Sequence, residues 1–398
     1  MPQSSDLQEK AQLSADHNLP KPSDKFLPSP PQSKLRERRL LAQSHRKRPT
    51  DIRNTPLSLI IFPAGQNSSP PSASLLFKKH RTKDTHHVDT RTLLTLKELD
   101  GVGPKALLSL IGLEPDENLS LGQMIDLCEM AHQRNRRVPI PLHREVAEAQ
   151  ERADRIMEQC HQGDIHILTI LNEAFPHLVR RAGPTPPAIL YVRGNYEALT
   201  TEQSVAIVGT RNPSERAGRA AHELSRRITG ENFVVISGLA LGCDTAAHRG
   251  CLSGGGYTVA ALGHGLDSIY PEGNLDLAED IVYNGGCLVS EYAPRVKVTR
   301  AHLVRRNYLQ ASLSRGVLVI QSTPDGGSRY AAKAAVELDR PLGSLAPFSA
   351  AEGVHYLAGH QSLQKIGAQE ITDSAGSIHL FLSRCMQQTP GRSQLALF

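Results

Sequence analysis

The middle of the chain carries short apolar runs at regular intervals, separated by longer stretches in which apolar residues recur with helical spacing. Five such runs lie at residues 205–208, 233–236, 257–262, 287–290 and 316–320. Apolar runs without polar alternation are typical of strands that helices cover on both faces. The pattern therefore predicts an α/β domain with a doubly wound, mostly parallel sheet.

The chain ahead of this sheet has a different pattern. Residues 91–160 alternate helical stretches with short Gly or Pro breaks, which predicts a small helical domain, and two further strands are predicted at 165–170 and 188–193. Within the helical part, the segment from Leu99 to Lys105 has the form of a helix-hairpin-helix turn, as in SAM-like domains. Its glycines would let backbone amides approach a phosphate, but the same segment equally suits a turn that only packs two helices.

Both ends of the chain are predicted to lie outside the folded core, which leaves residues 161–375 for the sheet domain. Residues 1–90 are rich in Pro, Ser and basic residues, and we expect a disordered tail that is either solvated or in electrostatic contact with nucleic acid. Residues 376–398 are expected to form a C-terminal tail without a winged helix. No apolar run reaches the roughly 18 residues of a membrane span and no signal peptide is evident, so we expect a cytoplasmic protein without membrane contact.

Composition narrows the chemistry only slightly. The 398 residues contain 45 Lys and Arg against 40 Asp and Glu, and the net charge of +5 permits a polyanionic partner without requiring one. The six cysteines form no C-x-x-C pair, which argues against a zinc ribbon or a thioredoxin-like site. Neither a Ser-His-Asp order nor paired catalytic carboxylates stand out, so we predict no catalytic residue, no metal and no cofactor.

Candidate chemistry gathers in the loops that follow the predicted strands, where open α/β sheets bind their ligands. Arg211 follows the first of the five runs and suits a phosphate, because its guanidinium donates as a fork. The second run leads into small residues at a helix start and the fifth into a glycine turn before a helix, where free backbone amides suit a phosphate. The residues after the second run are Ser237, Gly238 and Gly242, and those after the fifth run are Gly327, Ser328 and Arg329.

The fourth run is followed by a concentration of cations rather than by one motif. This rim, which is predicted to face a polyanion, contains Arg295, Lys297, Arg300, Arg305 and Arg306. Asp244 is expected to cap or orient its neighbours, whereas for His248 a structural and a functional role are equally open. The residues by themselves leave two functions open: a protein that grips a nucleic-acid backbone, or an enzyme that acts on a nucleotide.

An ordered series of motifs resembles the DprA/Smf DNA-processing family. The series covers about residues 165–371 and comprises Val208-Gly-Thr-Arg211, the run from Ser237 to Arg249, Gly255-Gly-Tyr-Thr258, Tyr270-Pro271, Ser290-Glu291 and Arg306-Asn307. Each motif is weak alone, whereas their shared order is specific.

The resemblance implies an extended Rossmann-like domain that binds single-stranded DNA without sequence preference, protects incoming DNA and helps to load the RecA recombinase during natural transformation. It further implies a homodimer and a protein that is not an enzyme. Carried onto this chain, the family's motifs place the DNA pocket at Arg211, Ser237, Gly238, Arg306, Asn307, Ser328 and Arg329. With Gly242 and Gly327 from the loop argument, these residues form the predicted site.

The chain also departs from the family pattern, and one departure suggests an alternative. Arg306-Asn307 lacks the family's preceding aromatic-Pro pair, and Glu272 stands where many members carry a basic residue. The turn Pro324-Asp-Gly-Gly327 is similar to the Pro-Gly-Gly loop of lysine-decarboxylase-like phosphoribohydrolases, so a nucleotide-binding or nucleotide-hydrolysing enzyme is the alternative hypothesis. That family continues with Gly-Thr and a nearby Glu, whereas here Ser328-Arg329 follows and Glu337 lies a helix away.

Overall fold

A nine-stranded sheet organises the part of the chain that the computed structural model describes, which comprises residues 89–115, 118–347 and 354–387. Nearly all of the predicted N-terminal tail and residues 388–398 lie outside these ranges. The strands are β1 (Ile165–Thr169), β2 (Ile189–Gly194), β3 (Ser204–Val208), β4 (Val234–Ser237), β5 (Thr258–Leu262), β6 (Cys287–Ser290), β7 (Gly316–Val319), β8 (Leu342–Leu345) and β9 (Gln369–Ile371).

The sheet is doubly wound about β3. Its order is β1-β2-β6-β5-β4-β3-β7-β8-β9, so the chain first runs outward from β3 through β6 and then returns to the other side of β3 with β7. All pairs from β6 to β9 are parallel, whereas β1 and β2 add an antiparallel edge. The predicted fold class is confirmed, and β8 adds a strand that is paired with β7 on one side and with β9 on the other.

Helices cover both faces of the sheet. Successive side chains of a strand point to opposite faces, and in β3 the side chains on both faces are buried, so each face needs a covering layer. The helices are α1 (Thr90–Glu98), α2 (Pro104–Ile111), α3 (Leu121–Arg134), α4 (His143–Gln162), α5 (His177–Arg180), α6 (Glu215–Gly230), α7 (Cys243–Ser253), α8 (Leu275–Tyr283), α9 (Arg300–Ser312), α10 (Ser328–Glu337), α11 (Val354–Lys365) and α12 (Ala375–Gln387). Helices α6, α7 and α12 share one apolar cluster with the sheet, and α1–α4, α9 and α10 share the other. None of the helices in the described ranges has both the length and the apolar character of a membrane span.

Four helices, α1–α4, occupy the region in which the sequence predicts a small helical domain. Asp89 begins α1 by accepting hydrogen bonds from the amides of Arg91 (2.8 Å) and Thr92 (3.1 Å). The candidate hairpin turn joins α1 to α2, and Gly101 in it has a φ of +83°, which favours glycine. Buried side chains run from α1 through α4 to β1 and β2 as one cluster, so the helical part and the sheet share a core.

The C-terminal tail predicted from residue 376 is wrong over residues 376–387. The segment forms α12, and Ile378, Phe381, Leu382 and Cys385 are buried in the cluster beneath it. The spacing of these four residues places them on one face of a helix. This apolar face covers β7 and β8, which would otherwise expose apolar side chains. Gly316 and Gly343 make room for this helix, since a Cβ at either position would lie 3.3 Å or less from the Phe381 ring.

We predict that Phe381→Ala lowers the free energy of unfolding by about 3–5 kcal/mol, because it removes a 1% exposed aromatic side chain and leaves a cavity between α12 and the sheet. Urea denaturation followed by circular dichroism measures the change. The matched control is Leu380→Ala, since Leu380 is 57% exposed on the same helix and should cost well below 1 kcal/mol. Equal stability of both variants would contradict a packed α12.

Candidate nucleic-acid interface

A concave cleft lies at the carboxyl ends of β3, β4 and β5, where their loops meet α9. We call it the strand-end cleft. Its walls include two arginines and several apolar side chains: Arg211, Gly238, Leu241, Tyr270, Leu303 and Arg306. The cleft lies beside the point where the strand order reverses, between β3 and β7, and open α/β sheets bind ligands at such points.

Arg306 forms the base of the cleft and is only 7% exposed. Its Nη1 lies 3.4 Å from Oδ2 of Asp244, and that oxygen also accepts hydrogen bonds from the amides of Gly238 (3.2 Å) and Ala240 (3.4 Å). A Cβ on residue 238 would lie 1.4 Å from Nη1 of Arg306, so the guanidinium rests directly on the backbone of Gly238. The predicted orienting role of Asp244 therefore agrees with its contacts, and Gly238 is needed for space.

The charges of this buried pair depend on each other. Burial raises the pKa of Asp244, while the neighbouring Arg306 and the two amides favour its carboxylate. Burial likewise lowers the pKa of Arg306, Asp244 opposes that shift, and the positive charge of Arg211 adds to it. Within the described part of the chain, Nε of Arg306 has no hydrogen-bond partner. A buried donor near a second cation is suited to an anionic acceptor that enters the cleft.

His248 is a structural residue of this region. The hydroxyl of Thr258 donates to the carbonyl of Val235 (2.7 Å), so it must accept from Nδ1 of His248, which lies 2.7 Å away. This assigns the proton of the neutral ring to Nδ1. Burial, with the charge of Arg306 beside it, lowers the pKa of His248 to about 3. The imidazole is therefore neutral at physiological pH, and the structural role is the one that its contacts support.

Two of the backbone amides at the start of α7 are already bonded within the protein. The amide of Cys243 donates to the Thr210 carbonyl (3.1 Å), and that of Thr245 donates to the Ala240 carbonyl (3.1 Å). Gly242 has a φ of +83°, and a Cβ there would lie 2.4 Å from the Arg211 carbonyl oxygen. Gly242 thus allows close packing of α7 against the β3 loop, and two of the amides that a phosphate cradle at this helix would use are already bonded within the protein.

Ser237 is also placed differently from the expectation. Its side chain is fully buried, and its hydroxyl donates to the Ile207 carbonyl (2.7 Å), which links β4 to β3. The structure therefore does not bring the Ser237 side chain to the surface of the strand-end cleft. Of the predicted site residues, it brings together Arg211, Gly238 and Arg306.

The other four predicted residues form a second group beside the cleft, where α9 meets the start of α10. The side-chain amide of Asn307 donates to the Gly327 carbonyl (3.1 Å), and Ser328 is buried with its hydroxyl 2.7 Å from that of Ser322. Arg329 is exposed, and its Nη2 lies 3.1 Å from the hydroxyl of Tyr330. We call Arg300, Arg329 and Tyr330 the α10 cluster.

The predicted cationic rim is only partly available to a ligand. Arg295, Lys297 and Arg300 are exposed. Arg305, in contrast, lies 2.9 Å from the partly buried carboxylate of Glu291, whose pKa is raised by desolvation against the opposing effect of Arg305. Arg305 is thus paired with Glu291 and Arg306 with Asp244, which leaves the other three of the five cations facing solvent.

The sequence did not predict that Leu241 and Leu303 line the cleft, nor did it single out the aromatic ring of the α10 cluster. Leu241 is 49% exposed, and Leu303 lies one helical turn before Arg306 on α9. The three-residue spacing from Leu303 to Arg306 on a predicted helix could have indicated that both side chains lie on one face. For Leu241 and Tyr330 no such pattern exists, because their place in the site depends on neighbours that are distant in sequence. For the enzyme alternative, Glu337 ends α10 with Lys333 as its partner at 3.7 Å, roughly three helical turns from the glycine turn.

Comparison with known proteins agrees with the motif series. A family model for DNA recombination-mediator protein A matches residues 166–381. Protein Smf of Synechocystis sp. is 37% identical over 194 residues, covering 48% of this chain and 48% of the relative. DNA processing protein DprA of Streptococcus pneumoniae is 36% identical over 156 residues, covering 39% of this chain and 54% of the relative. The chain thus spans about half the length of these curated relatives.

A solved structure extends this comparison to the fold. The X-ray structure of DNA processing protein A from Streptococcus pneumoniae superimposes with a TM-score of 0.60 at 26% sequence identity. The match covers 73% of this chain and 98% of that chain. The Rossmann-like sheet that carries the strand-end cleft is therefore shared with that protein.

We predict that Gly238→Ala destabilises the protein by about 3 kcal/mol, because the new methyl group displaces the guanidinium of Arg306 and leaves Asp244 as a buried, unpaired carboxylate. Thermal denaturation measures the effect. Gly218→Ala is the control: its Cβ meets only Pro213, at 3.9 Å, within helix α6. That variant should be as stable as the wild type or slightly more stable. Indistinguishable variants would contradict the close contact at Gly238.

The buried neutral His248 also predicts a pH dependence of stability. The unfolded chain binds a proton at this residue near pH 6.5, whereas the native pKa is about 3, so lowering the pH through 6.5 favours unfolding. Between pH 7 and pH 5 the wild type should lose about 2 kcal/mol more of its unfolding free energy than His248→Gln, which carries no titrating group. Denaturant titrations at both pH values measure this difference, and parallel losses in the two proteins would contradict the neutral assignment.

Proposed function

We propose that this chain, which belongs to the DNA recombination-mediator protein A family, binds single-stranded DNA in the strand-end cleft. A phosphate lies between Arg211 and Arg306, and the adjoining base lies on the apolar wall. The observation that carries the proposal is the position of Arg306, a charged group at the base of a concave cleft with a buried donor lacking a partner in the described residues.

The burial of Arg306 favours a single strand over a duplex. Because its side chain is 7% exposed, only a group that enters the cleft reaches it. The backbone of a flexible single strand is able to bend a phosphate into such a cleft, whereas the phosphates of a duplex lie on a stiff cylinder. Binding by phosphate contacts carries no sequence preference.

The apolar wall supports binding of an unpaired base. Leu241 and Tyr270 are 49% and 45% exposed beside the two arginines, so their apolar surfaces are open to a ligand in the cleft. Bases of a duplex are stacked on one another and are not free to cover such a wall, while those of a single strand are. Stacking on side chains adds affinity and tolerates any base.

The wider role follows from family membership and remains a proposal for this chain. We propose a mediator that is not an enzyme, forms a homodimer, acts in the cytoplasm, and protects incoming DNA while helping RecA onto it during transformation. Relatives named DNA processing protein DprA support a role in DNA processing.

RecA strand exchange on DNA precoated with a single-strand binding protein, with and without the full chain, tests the loading step. Strand exchange that the chain does not accelerate would reject it.

We expect Arg211→Ala to weaken binding of single-stranded oligonucleotides by roughly tenfold and to lower the slope of log K against log salt by about one, because one phosphate contact is lost. Fluorescence anisotropy with the full chain measures both quantities, with duplex DNA in parallel. Arg306→Gln should weaken binding at least as much, and denaturation shows whether it still folds.

Arg155→Ala is the matched control for these variants. Arg155 is an exposed arginine on α4 whose side chain is 61% accessible and is paired only with Glu151 at 3.8 Å. It should bind as the wild type does. Equal binding by Arg211→Ala and Arg155→Ala, or a preference for duplex DNA, would contradict the proposed site.

A further inference from the structure

The α10 cluster combines an aromatic ring with two cations at the same edge of the sheet as the strand-end cleft. Arg329 lies with its guanidinium carbon 4.9 Å from the ring centre of Tyr330 and donates to the Tyr330 hydroxyl at 3.1 Å. Arg300, at the start of the neighbouring helix α9, lies near enough for its positive charge to act on the Tyr330 hydroxyl. Two helices thus present their positive N-terminal ends and two arginines around one tyrosine.

The cluster is continuous with the cleft through α9. Arg300 precedes Arg306 by six residues on this helix, an axial rise of about 9 Å. Asn307, the residue after Arg306, donates to the Gly327 carbonyl directly ahead of α10. The β3 and β7 loops are also joined, since the amide of Thr210 donates to the Gln321 carbonyl (2.8 Å). The loop of Arg211 therefore adjoins the loop that leads to Arg329.

The charge of the cluster is available to a ligand. Asp325 is the acidic group recorded beside Arg329, at 3.8 Å, and it is 98% exposed, so this ion pair contributes little. The start of α10 has no side-chain cap, because Gly327 occupies the N-cap position. The pKa of Tyr330 is lowered, first by the hydrogen bond from Arg329 and further by Arg300, which shows the positive potential around its ring.

We propose that the α10 cluster is a second contact point for the DNA strand, at which a base stacks on Tyr330 while the flanking phosphates bind Arg300 and Arg329. The inference rests on the proposed binding of single-stranded DNA in the strand-end cleft and adds the direction in which the strand leaves it. An aromatic ring flanked by cations is the combination that single-strand binding sites use, because every base has a face that stacks and every nucleotide has a phosphate.

The experiment compares a dinucleotide, which is too short to span the roughly 9 Å between the two sites, with an oligonucleotide of about 16 nucleotides, the upper end of single-strand site sizes. The shorter one occupies the cleft alone, and the longer one reaches the α10 cluster. Tyr330→Ala should weaken binding of the longer strand at least about fivefold and leave the shorter one unchanged. Tyr330→Phe keeps the ring and should bind both strands as the wild type does. Arg329→Ala should lower the salt slope by about one for the longer strand only.

Tyr283→Ala is the matched control, because Tyr283 ends α8 and is 89% exposed. It should not change binding of either strand. A second readout uses intrinsic fluorescence, since the chain has 9 Tyr and no Trp. The longer strand should quench tyrosine emission, and Tyr330→Phe should show less quenching at the same affinity.

Two results would overturn the inference and leave the proposed function intact. In the first, Tyr330→Ala binds the longer strand as tightly as Tyr283→Ala does while Arg211→Ala weakens both strands. In the second, Tyr330→Ala weakens the short and the long strand equally. Failure of the wild type to bind either strand at low salt would instead overturn the proposed function, and the inference with it.

Discussion

The burial of Arg306 against the backbone of Gly238 is the interaction on which the carboxyl edge of the sheet depends. Removing a guanidinium from water costs several kcal/mol, so it needs a carboxylate at hand, and that carboxylate in turn needs donors. Asp244 and the amides of Gly238 and Ala240 meet this requirement in one short loop. Because the guanidinium occupies the space of a side chain at residue 238, the position admits only glycine without displacement of Arg306.

The same arrangement changes how an anion is recognised at this edge. Helix starts after parallel strands commonly bind phosphate with free amides. Here the loop amides already hold the Asp244 carboxylate, and the first amides of α7 donate to the β3 and β4 loops. In the proposed mode of binding, recognition therefore passes to side chains, namely Arg211 and Arg306 in the cleft and the arginines of the α10 cluster. Side chains adapt to a flexible polyanion more readily than a fixed backbone cradle does.

The peripheral elements complete the sheet instead of forming independent units. Helices α1–α4 share the cluster of buried side chains that covers β1 and β2, and α12 closes the opposite face over β7 and β8. Close packing at Gly316 and Gly343 shows that the sheet surface is shaped for α12. The rigid sheet holds the ends of β3, β4, β5 and β7 in fixed relation, so residues more than a hundred positions apart, such as Arg211 and Gln321, lie in adjoining loops.

The sequence by itself determined seven of the nine described strands, β1 to β7, the doubly wound class and the loops in which charged residues gather, because strands buried on both faces are read locally as uninterrupted apolar runs. It also contained the helical spacing of α12, although the neighbouring Gly, Ser and Pro favoured a tail. Only the tertiary structure decided that Ser237 and Gly242 shape the site from within, that Asp244 occupies the loop amides, and that the Tyr330 ring lies against Arg329. Each of these depends on which donors and acceptors meet across the sheet edge, and hydrogen-bond pairing between distant loops leaves no periodic trace along the chain.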